Sequence, residues 1–225
     1  MNIIKAINIS KSFNNPVPTP VIANISLEIE SGTLSAIIGK SGCGKSTLLY
    51  ILSTLDTRYF GDLYIGGTLM NGKTDEYLSA FRNENIGFVF QSQFLLNDLN
   101  VLRNISLPLY KKGGIEWQDA DYKAIEMLKR VKLEGHYKKK VTELSGGQQQ
   151  RVAIARSIVC SPQIVFADEP TGNLDTQNTK IIFDLFREIA SELNKTVVVV
   201  THDSDFAGVC DRIIAMEDGK IIHKS

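Results

Sequence analysis

The sequence is poor in cysteine: only Cys43, Cys160 and Cys210 occur in its 225 residues, and they lie far apart. An odd number of cysteines at these spacings forms neither a disulfide framework nor a zinc motif, so we expect a reducing compartment. Long apolar runs are also missing, and none in the second half of the chain is longer than Val197–Val200. A membrane-spanning helix needs about 20 apolar residues, so action at a membrane would require another polypeptide to do the crossing.

An excess of charge of one sign is absent as well, because 25 Lys and Arg residues balance 25 Asp and Glu residues. This balance gives no electrostatic support to binding of nucleic acid or anionic lipid. The first residues, Met1–Ala6, lack a basic region followed by an apolar segment, so no signal peptide is expected. Hydrophobic residues make up 43% of the chain, which is enough for a core in one large domain over residues 1–225.

Apolar patterning predicts an α/β fold. Residues 3–10 and 21–30 alternate apolar and polar positions, which indicates antiparallel strands, and the three prolines of Asn14–Pro20 predict a loop between them. Asp62–Ile65 and Leu69–Met70, with Gly66-Gly67 between them, predict a hairpin. Short apolar strands are predicted at Leu34–Ile38, Ile86–Phe90, Ile164–Ala167 and Thr196–Val200. Because helical patterns such as Ser46–Leu55 and residues 181–193 separate these strands, we expect a mostly parallel sheet.

The region from about residue 92 to residue 160 is predicted to be mainly helical. Apolar residues recur there at steps of three and four, which is typical of a helix that faces a core. They are Trp117, Ala120, Ala124, Leu128 and Val131. Phe94, Leu95 and Leu96 are three consecutive apolar residues in a presumed loop. Docking of a partner and burial within the helical region are both open interpretations of them.

Residues 39–47 match the phosphate-binding pattern G-x-x-x-x-G-K-[ST]. The glycines let backbone N–H groups converge on a triphosphate, and the helix beginning near Lys45 adds the positive end of its dipole. Lys45 is expected to reach the β- and γ-phosphates, and Ser46 to give its hydroxyl to Mg²⁺. Cys43 is interpreted as a small filler, with a reactive thiol as the alternative. The residues assigned to ATP binding here are Gly39, Lys40, Ser41, Gly42, Cys43, Gly44, Lys45, Ser46 and Thr47.

Polar residues follow three of the apolar strands. Asp168 and Glu169 come after Ile164–Ala167, where carboxylates suit a metal and water site, although such a pair could instead cap the next helix. We assign Asp168 to Mg²⁺ and Glu169 to the water that attacks ATP. His202 follows the strand ending at Val200 and could donate to the γ-phosphate. Gln91, weaker evidence by itself, could contact Mg²⁺ or the water.

In this order the motifs resemble those of ATP-binding cassette (ABC) transporter nucleotide-binding subunits over nearly the whole chain. They are the Walker A loop Gly39–Thr47, the Q-loop Gln91, the signature Leu144–Gln148, the Walker B strand Ile164–Glu169, the D-loop Asn173–Asp175 and the switch His202. The resemblance implies a P-loop NTPase (RecA-like) core, an antiparallel β subdomain and an α-helical subdomain at about 92–160. It also implies that the chain is an ATPase.

The resemblance further implies that two copies close head to tail around two ATP molecules. Ser145, Gly146, Gly147 and Gln148 of one copy would then meet the nucleotide held by the other, with Asp175 linking the two sites. Two glycines after a serine, opening a helix, do offer an anion-binding helix N-terminus. Phe13 stands where the family places an aromatic residue that stacks on adenine, although a Phe after a strand is more often in the core.

Longer stretches are similar to the macrolide-efflux and lipoprotein-release (MacB/LolD-like) type. They are Gly87–Gln91, Asn104–Leu109, Leu144–Arg156 and Ala167–Asp175. This resemblance implies export or extrusion of a lipoprotein, peptide or drug through a separate membrane permease, with the ATPase at the cytoplasmic face of the membrane. The alternative is a soluble ABC ATPase that acts on DNA or ribosomes. The single copy of each motif, the short Gln91–Leu144 interval and the balanced charge argue against it.

Overall fold

Two β-sheets form the framework of the protein in a computed structural model that describes residues 1–14 and 17–224. The first sheet is antiparallel, with the strand order β2-β1-β4-β5. Its strands are β1 (Asn2–Asn14), β2 (Pro18–Glu30), β4 (Phe60–Ile65) and β5 (Thr68–Leu69). The antiparallel pairing of the first two strands and the hairpin across Gly66-Gly67 are confirmed.

The loop predicted over Asn14–Pro20 is wrong at both of its ends. Asn14 belongs to β1 and Pro18 begins β2, where Pro18 pairs with Asn14 and Pro20 with Ser12. Proline has no N–H to donate, but β2 is an edge strand whose outer side needs no partner, so prolines are tolerated there. Residues 15 and 16 of the predicted loop lie outside the described residues.

The second sheet has six strands in the order β10-β9-β3-β8-β7-β6. They are β3 (Leu34–Gly39), β6 (Ile86–Val89), β7 (Ile164–Asp168), β8 (Thr196–Val200), β9 (Arg212–Glu217) and β10 (Lys220–Lys224). All neighbouring pairs are parallel except β9 and β10. The mostly parallel sheet is therefore confirmed. Its carboxyl ends bring the ends of β3, β6, β7 and β8 to one edge, where ligands bind in folds of this kind.

Seven α-helices pack around the sheets within the described part of the chain. They are α1 (Lys45–Leu52), α2 (Asp75–Asn85), α3 (Val101–Lys112), α4 (Trp117–Arg130), α5 (Gly146–Ile158), α6 (Thr176–Ser191) and α7 (Ser204–Ala207). The mainly helical region is confirmed in α3, α4 and α5. Ala120, Ala124, Leu128 and Val131 are buried as predicted, but Trp117 is exposed because it begins α4, where its ring packs at a tilt against Tyr110 instead of entering the core.

The six-stranded sheet lies between two apolar clusters, because alternate residues of a strand point to opposite faces. Val165 and Val197 pack against α3 to α6 on one face. Phe166 and Val198 pack against α1 and the antiparallel sheet on the other face. Within residues 1–14 and 17–224, no helix has the length and apolar character that crossing a bilayer requires.

Candidate functional site

The phosphate-binding pattern forms the turn between β3 and α1. Gly44 precedes the first residue of α1 with a φ of 99°, a left-handed conformation that glycine adopts without strain. A Cβ at this position would also lie 2.7 Å from the Val21 carbonyl oxygen of β2. Glycine is therefore required here both by the turn and by the close approach of β2. The turn leaves the N-terminus of α1 facing a cleft.

Lys45 folds its side chain back over the turn. Its ammonium donates to the carbonyl oxygens of Gly39, at 2.8 Å, and Lys40, at 3.0 Å. The side chain is 7% exposed, so the charge is largely desolvated and these carbonyls supply its described hydrogen bonds. A cation held next to a helix N-terminus favours binding of an anion at this point.

Ser46 lines the cleft and contacts Asp168, which is buried and is not itself among the lining residues. The Ser46 hydroxyl donates to Asp168 Oδ1 at 2.8 Å, which joins the start of α1 to the end of β7. The second carboxylate oxygen, Oδ2, accepts a hydrogen bond from the Tyr50 hydroxyl at 2.9 Å. Sequence reasoning missed Tyr50. The available signal was its spacing, because residues four apart on a helix share a face, and Tyr50 follows Ser46 at that interval.

Glu169 and His202 form the second polar pair of the cleft. Their side chains lie 2.7 Å apart, between Nδ1 of His202 and Oε2 of Glu169. Strands β7 and β8 are adjacent and parallel, so residues that follow them come together. Glu169 has a φ of 45°, which is strained for a residue with a side chain. Its backbone N–H donates to the Val200 carbonyl, and this bond helps to hold the strained conformation.

One cleft of about 530 Å³ brings together nine of the predicted site residues. Two lining residues, Val21 and Gly172, were not predicted. Gly172 lies beside the Gln91 amide: a Cβ there would be 3.2 Å from Nε2. The predicted residues that line the cleft are Ser41, Gly42, Gly44, Lys45, Ser46, Thr47, Gln91, Glu169 and His202.

The signature residues lie outside this cleft. Ser145 caps α5, its hydroxyl accepting from the Gln148 N–H at 3.3 Å while Gln148 Oε1 accepts from the Ser145 N–H at 3.0 Å. Ser145 and Gly146 are exposed, whereas Gly147 is buried so close to Asn178 that a Cβ would collide with that side chain. In a single chain, the signature turn therefore does not form part of the cleft that the phosphate-binding loop lines.

Asp175 lies next to the signature turn. It caps α6 by accepting from the Asn178 backbone N–H at 2.8 Å, and this bond lowers the pKa of the Asp175 carboxyl. Its other oxygen accepts from the Asn178 side-chain amide at 2.8 Å. Because Asn178 also packs on Gly147, it connects the D-loop to the first turn of α5.

Three other predicted binding residues do not line the cleft with their side chains. Phe13 is 48% exposed near the end of β1, with the Lys11 ammonium 4.9 Å from its ring centroid. Lys40 points outward and forms an ion pair with Glu217 at 3.3 Å. The Cys43 side chain packs in the apolar cluster below the loop, consistent with a small filler.

Comparison with known proteins gives one matching family model, described as ABC transporter, over residues 22–172. Similar curated proteins include a lipoprotein-releasing system ATP-binding protein LolD from Bacteroides thetaiotaomicron. It is 42% identical and is aligned over 97% of this chain and 98% of its own length. The LolD protein of Buchnera aphidicola is 39% identical, with 98% of this chain and 97% of that protein covered.

Solved structures of similar fold are also known. The dimeric ATP-binding cassette MJ0796 in a post-hydrolysis state, bound to ADP and Pi, matches with a TM-score of 0.92 and 38% identity, over 99% of this chain and 97% of the other. CbiO1 from Clostridium perfringens, part of the transporter complex cbiONQ, matches with a TM-score of 0.90 and 27% identity, over 100% of this chain and 88% of the other.

Proposed function

The chain belongs to the ABC transporter family as an ATP-hydrolysing subunit that powers a separate membrane subunit, and on this premise we propose that two copies of it form the working ATPase. The proposal rests on one observation: the exposed Ser145 and Gly146 lie outside the cleft of their own chain. A second copy, arranged head to tail, would bring these residues to the nucleotide. The similar MJ0796 cassette is dimeric, which supports pairing of two copies.

Within each cleft we assign ATP binding to Gly39–Thr47 and contact with the β- and γ-phosphates to Lys45. Ser46 and Asp168 fit Mg²⁺, because a hydroxyl and a carboxylate are oxygen ligands of the kind it prefers. Among the described residues, no three His, Cys, Asp or Glu side chains are grouped so that they could hold a metal ion. Phosphate oxygens and water would therefore complete the coordination. Bound Mg²⁺ neutralises phosphate charge. Gln91 lines the same cleft and is a further candidate ligand.

We assign Glu169 to the attacking water, as general base or as the group that orients it. The carboxylate lines the cleft, and its contact with His202 fixes its direction. His202 is assigned to the γ-phosphate side, because its ring is exposed and lines the cleft. Phe13 is assigned to adenine. In the assembled dimer, Ser145–Gln148 contact the partner's nucleotide and Asp175 communicates between the sites.

The membrane subunit is expected to dock next to Gln91. A surface groove of about 500 Å³ lies there, lined in part by Leu55, Phe90 and Phe94. Phe94 and Leu96 are 66% and 46% exposed, whereas Leu95 packs against the core cluster. Burial within the helical region therefore applies to Leu95, whereas docking of a partner remains open to Phe94 and Leu96. We propose that Phe94 and Leu96 receive a cytoplasmic segment of the permease.

The finer assignment follows the LolD relatives, which are ATP-binding proteins of lipoprotein-releasing systems. We propose that this chain drives extrusion of a lipoprotein, with a peptide or drug as the other substrate classes of the same type. It would act at the cytoplasmic face of the membrane. Residues 1–225 would serve as one nucleotide-binding domain, with the α-helical subdomain at about 92–160.

A mixing experiment tests the shared site. Lys45→Ala removes the phosphate-binding cation, and Gly146→Asp places a negative charge at the signature turn. A Cβ at residue 146 fits without a clash, because the nearest neighbouring atom is a Leu174 methyl at 3.9 Å. Each variant alone should be inactive. In a mixed dimer, one site combines an intact Walker A loop with an intact signature, so the mixture should hydrolyse ATP well above the sum of the separate preparations.

Two results would contradict the proposed dimer. One is full ATPase activity of the Gly146→Asp protein alone, and the other is an inactive mixture in which crosslinking shows that mixed dimers have formed. Membrane association is tested separately by mild detergent extraction and affinity purification. A stable integral membrane partner is expected, whereas recovery with ribosomes or DNA alone would favour the soluble class.

A further inference from the structure

The Asp168 carboxylate is buried, and each of its oxygens has its own hydroxyl donor. The residue is 7% exposed, so its charge depends on protein partners. Oδ1 faces Ser46 at the cleft, whereas Oδ2 faces Tyr50 at 2.9 Å. Tyr50 does not line the cleft; it lines the surface groove that also contains Leu55, Phe90 and Phe94.

Tyr50 is held firmly enough to direct a neighbour. It is on the same face of α1 as Ser46, one turn later. Its ring packs on Phe88 of β6, with centroids 5.9 Å apart. Phe88 in turn packs on Phe166, two residues before Asp168 in β7. The helix and two neighbouring strands therefore fix the hydroxyl and the carboxylate relative to each other.

The Tyr50 hydroxyl is the donor in its hydrogen bond with Asp168, and Oδ2 is the acceptor. A carboxylate that accepts on Oδ2 from a fixed donor cannot rotate freely, so Oδ1 remains next to the Ser46 hydroxyl.

We propose that Tyr50 is a positioning residue that orients Asp168 for the metal ion of MgATP. The inference rests on the proposed role of Asp168 in holding that ion. Groups that hydrogen-bond to a metal ligand typically change metal affinity or activity by about 10–100-fold when they are removed. We expect an effect near the lower end, because Ser46 continues to hold Oδ1.

The test is Tyr50→Phe, which keeps the ring against Phe88 and deletes only the hydroxyl. Mn²⁺ binding to the protein with a non-hydrolysable ATP analogue is followed by electron paramagnetic resonance. We expect Mn²⁺ to bind about 10-fold more weakly, while affinity for the analogue in EDTA stays unchanged. In ATPase assays the required Mg²⁺ concentration should rise, and the rate at saturating Mg²⁺ should recover.

Tyr59→Phe is the matched control. Tyr59 is also partly buried, and its hydroxyl donates to Asn71 at 3.5 Å; neither residue lines the cleft. This variant should bind Mn²⁺ as the unmodified protein does. Equal Mn²⁺ affinity of Tyr50→Phe and the unmodified protein would overturn the proposal. So would an equal loss in the two tyrosine variants, because that would indicate a general loss of packing.

Asp168→Asn separates this inference from the proposed function. If it weakens Mn²⁺ binding and Tyr50→Phe does not, only the role of Tyr50 is wrong. If Asp168→Asn itself leaves Mn²⁺ affinity unchanged, the assignment of Asp168 to the metal fails, and the inference fails with it.

Discussion

Glu169 combines a strained backbone with a directed side chain. A φ of 45° at a residue with a Cβ costs of order 1 kcal/mol, and such strain concentrates at functional sites. The surrounding bonds hold it, from its N–H to Val200 and from its carboxylate to His202. The carboxylate reaches the cleft from this conformation. A substitution that keeps the shape of the Glu169 side chain therefore tests its role in hydrolysis without disturbing the local backbone.

Glu169→Gln should retain ATP binding and lose hydrolysis by about 10²–10⁴-fold, the usual contribution of general-base assistance. The amide preserves length and volume but cannot accept a proton from water. Phosphate release and equilibrium binding of labelled ATP measure the two effects. Glu84→Gln, on the exposed side of α2, serves as the control and should match the unmodified protein. Hydrolysis at the normal rate by Glu169→Gln would remove Glu169 from the reaction.

At the scale of elements, α5 ties the signature turn to the segment that follows β6. Its first turn is capped by Ser145, and its last turn carries Arg156. The Arg156 guanidinium donates to the carbonyl oxygens of Gln93, at 2.7 Å, and Phe94, at 2.8 Å. Gln150, fully buried in the middle of α5, donates more weakly to the Phe90 carbonyl at 3.4 Å. Movement of α5 would therefore carry residues 90–94 with it.

Arg156→Gln should loosen this connection. Two carbonyls lose a charged donor, and each unsatisfied group costs about 1–3 kcal/mol where it is buried. We expect faster hydrogen exchange in residues 93–99, measured by mass spectrometry. Arg151→Gln is a matched control on the same helix, because Arg151 donates to the carbonyls of Val131 and Lys132. It should accelerate exchange near residues 131–133 instead. An Arg156→Gln protein with unchanged exchange at 93–99 would show that other contacts hold the segment.

A clear pattern of apolar residues made some elements predictable, and elements without such a pattern were not predicted. The strand Thr196–Val200 matches the prediction because a short, wholly apolar run fits a buried parallel strand. Helix α2 gave no such signal, since only Leu78 among its residues is buried. The hairpin of β9 and β10 was overlooked, although Asp218-Gly219 is a typical two-residue turn sequence. Both residues have positive φ, at 46° and 75°, as that turn requires.

The sequence could indicate the parts of the site that are local in the chain. The loop at residues 39–47 and the carboxylates after Ile164–Ala167 each follow a recognisable strand. Contacts between distant segments were not predictable, because they depend on how α1, β6 and β7 pack. Tyr50 on Asp168 and Gly172 beside Gln91 are of this kind. The position of the signature outside its own cleft likewise depends on how α5 packs against distant segments.

For the whole molecule, the cleft lies along the carboxyl edge of a sheet with an apolar cluster on each face. A ligand bound there contacts the ends of several strands that belong to both clusters. ATP should therefore stabilise the fold as one unit, by RT ln(1 + [L]/Kd), or about 2.7 kcal/mol at 100 times Kd.

We expect the Tm of Glu169→Gln to rise with ATP and to depend on protein concentration, because dimers form. Differential scanning calorimetry at two protein concentrations measures both effects. Adding EDTA should lower the Tm of the ATP complex, and Lys45→Ala should show little shift. A concentration-independent Tm in saturating MgATP would be evidence against nucleotide-driven pairing.

The hairpin at the end of the six-stranded sheet also braces the phosphate-binding loop. The Gly219 N–H donates to the Cys43 carbonyl at 3.1 Å, the Gly219 carbonyl accepts from Ala23 at 2.9 Å, and Met216 pairs with Gly39. The phosphate-binding loop lies early in the sequence, but the hairpin that supports it lies more than 150 residues later. During synthesis, the growing chain therefore reaches its full affinity for ATP only after β9 and β10 have left the ribosome.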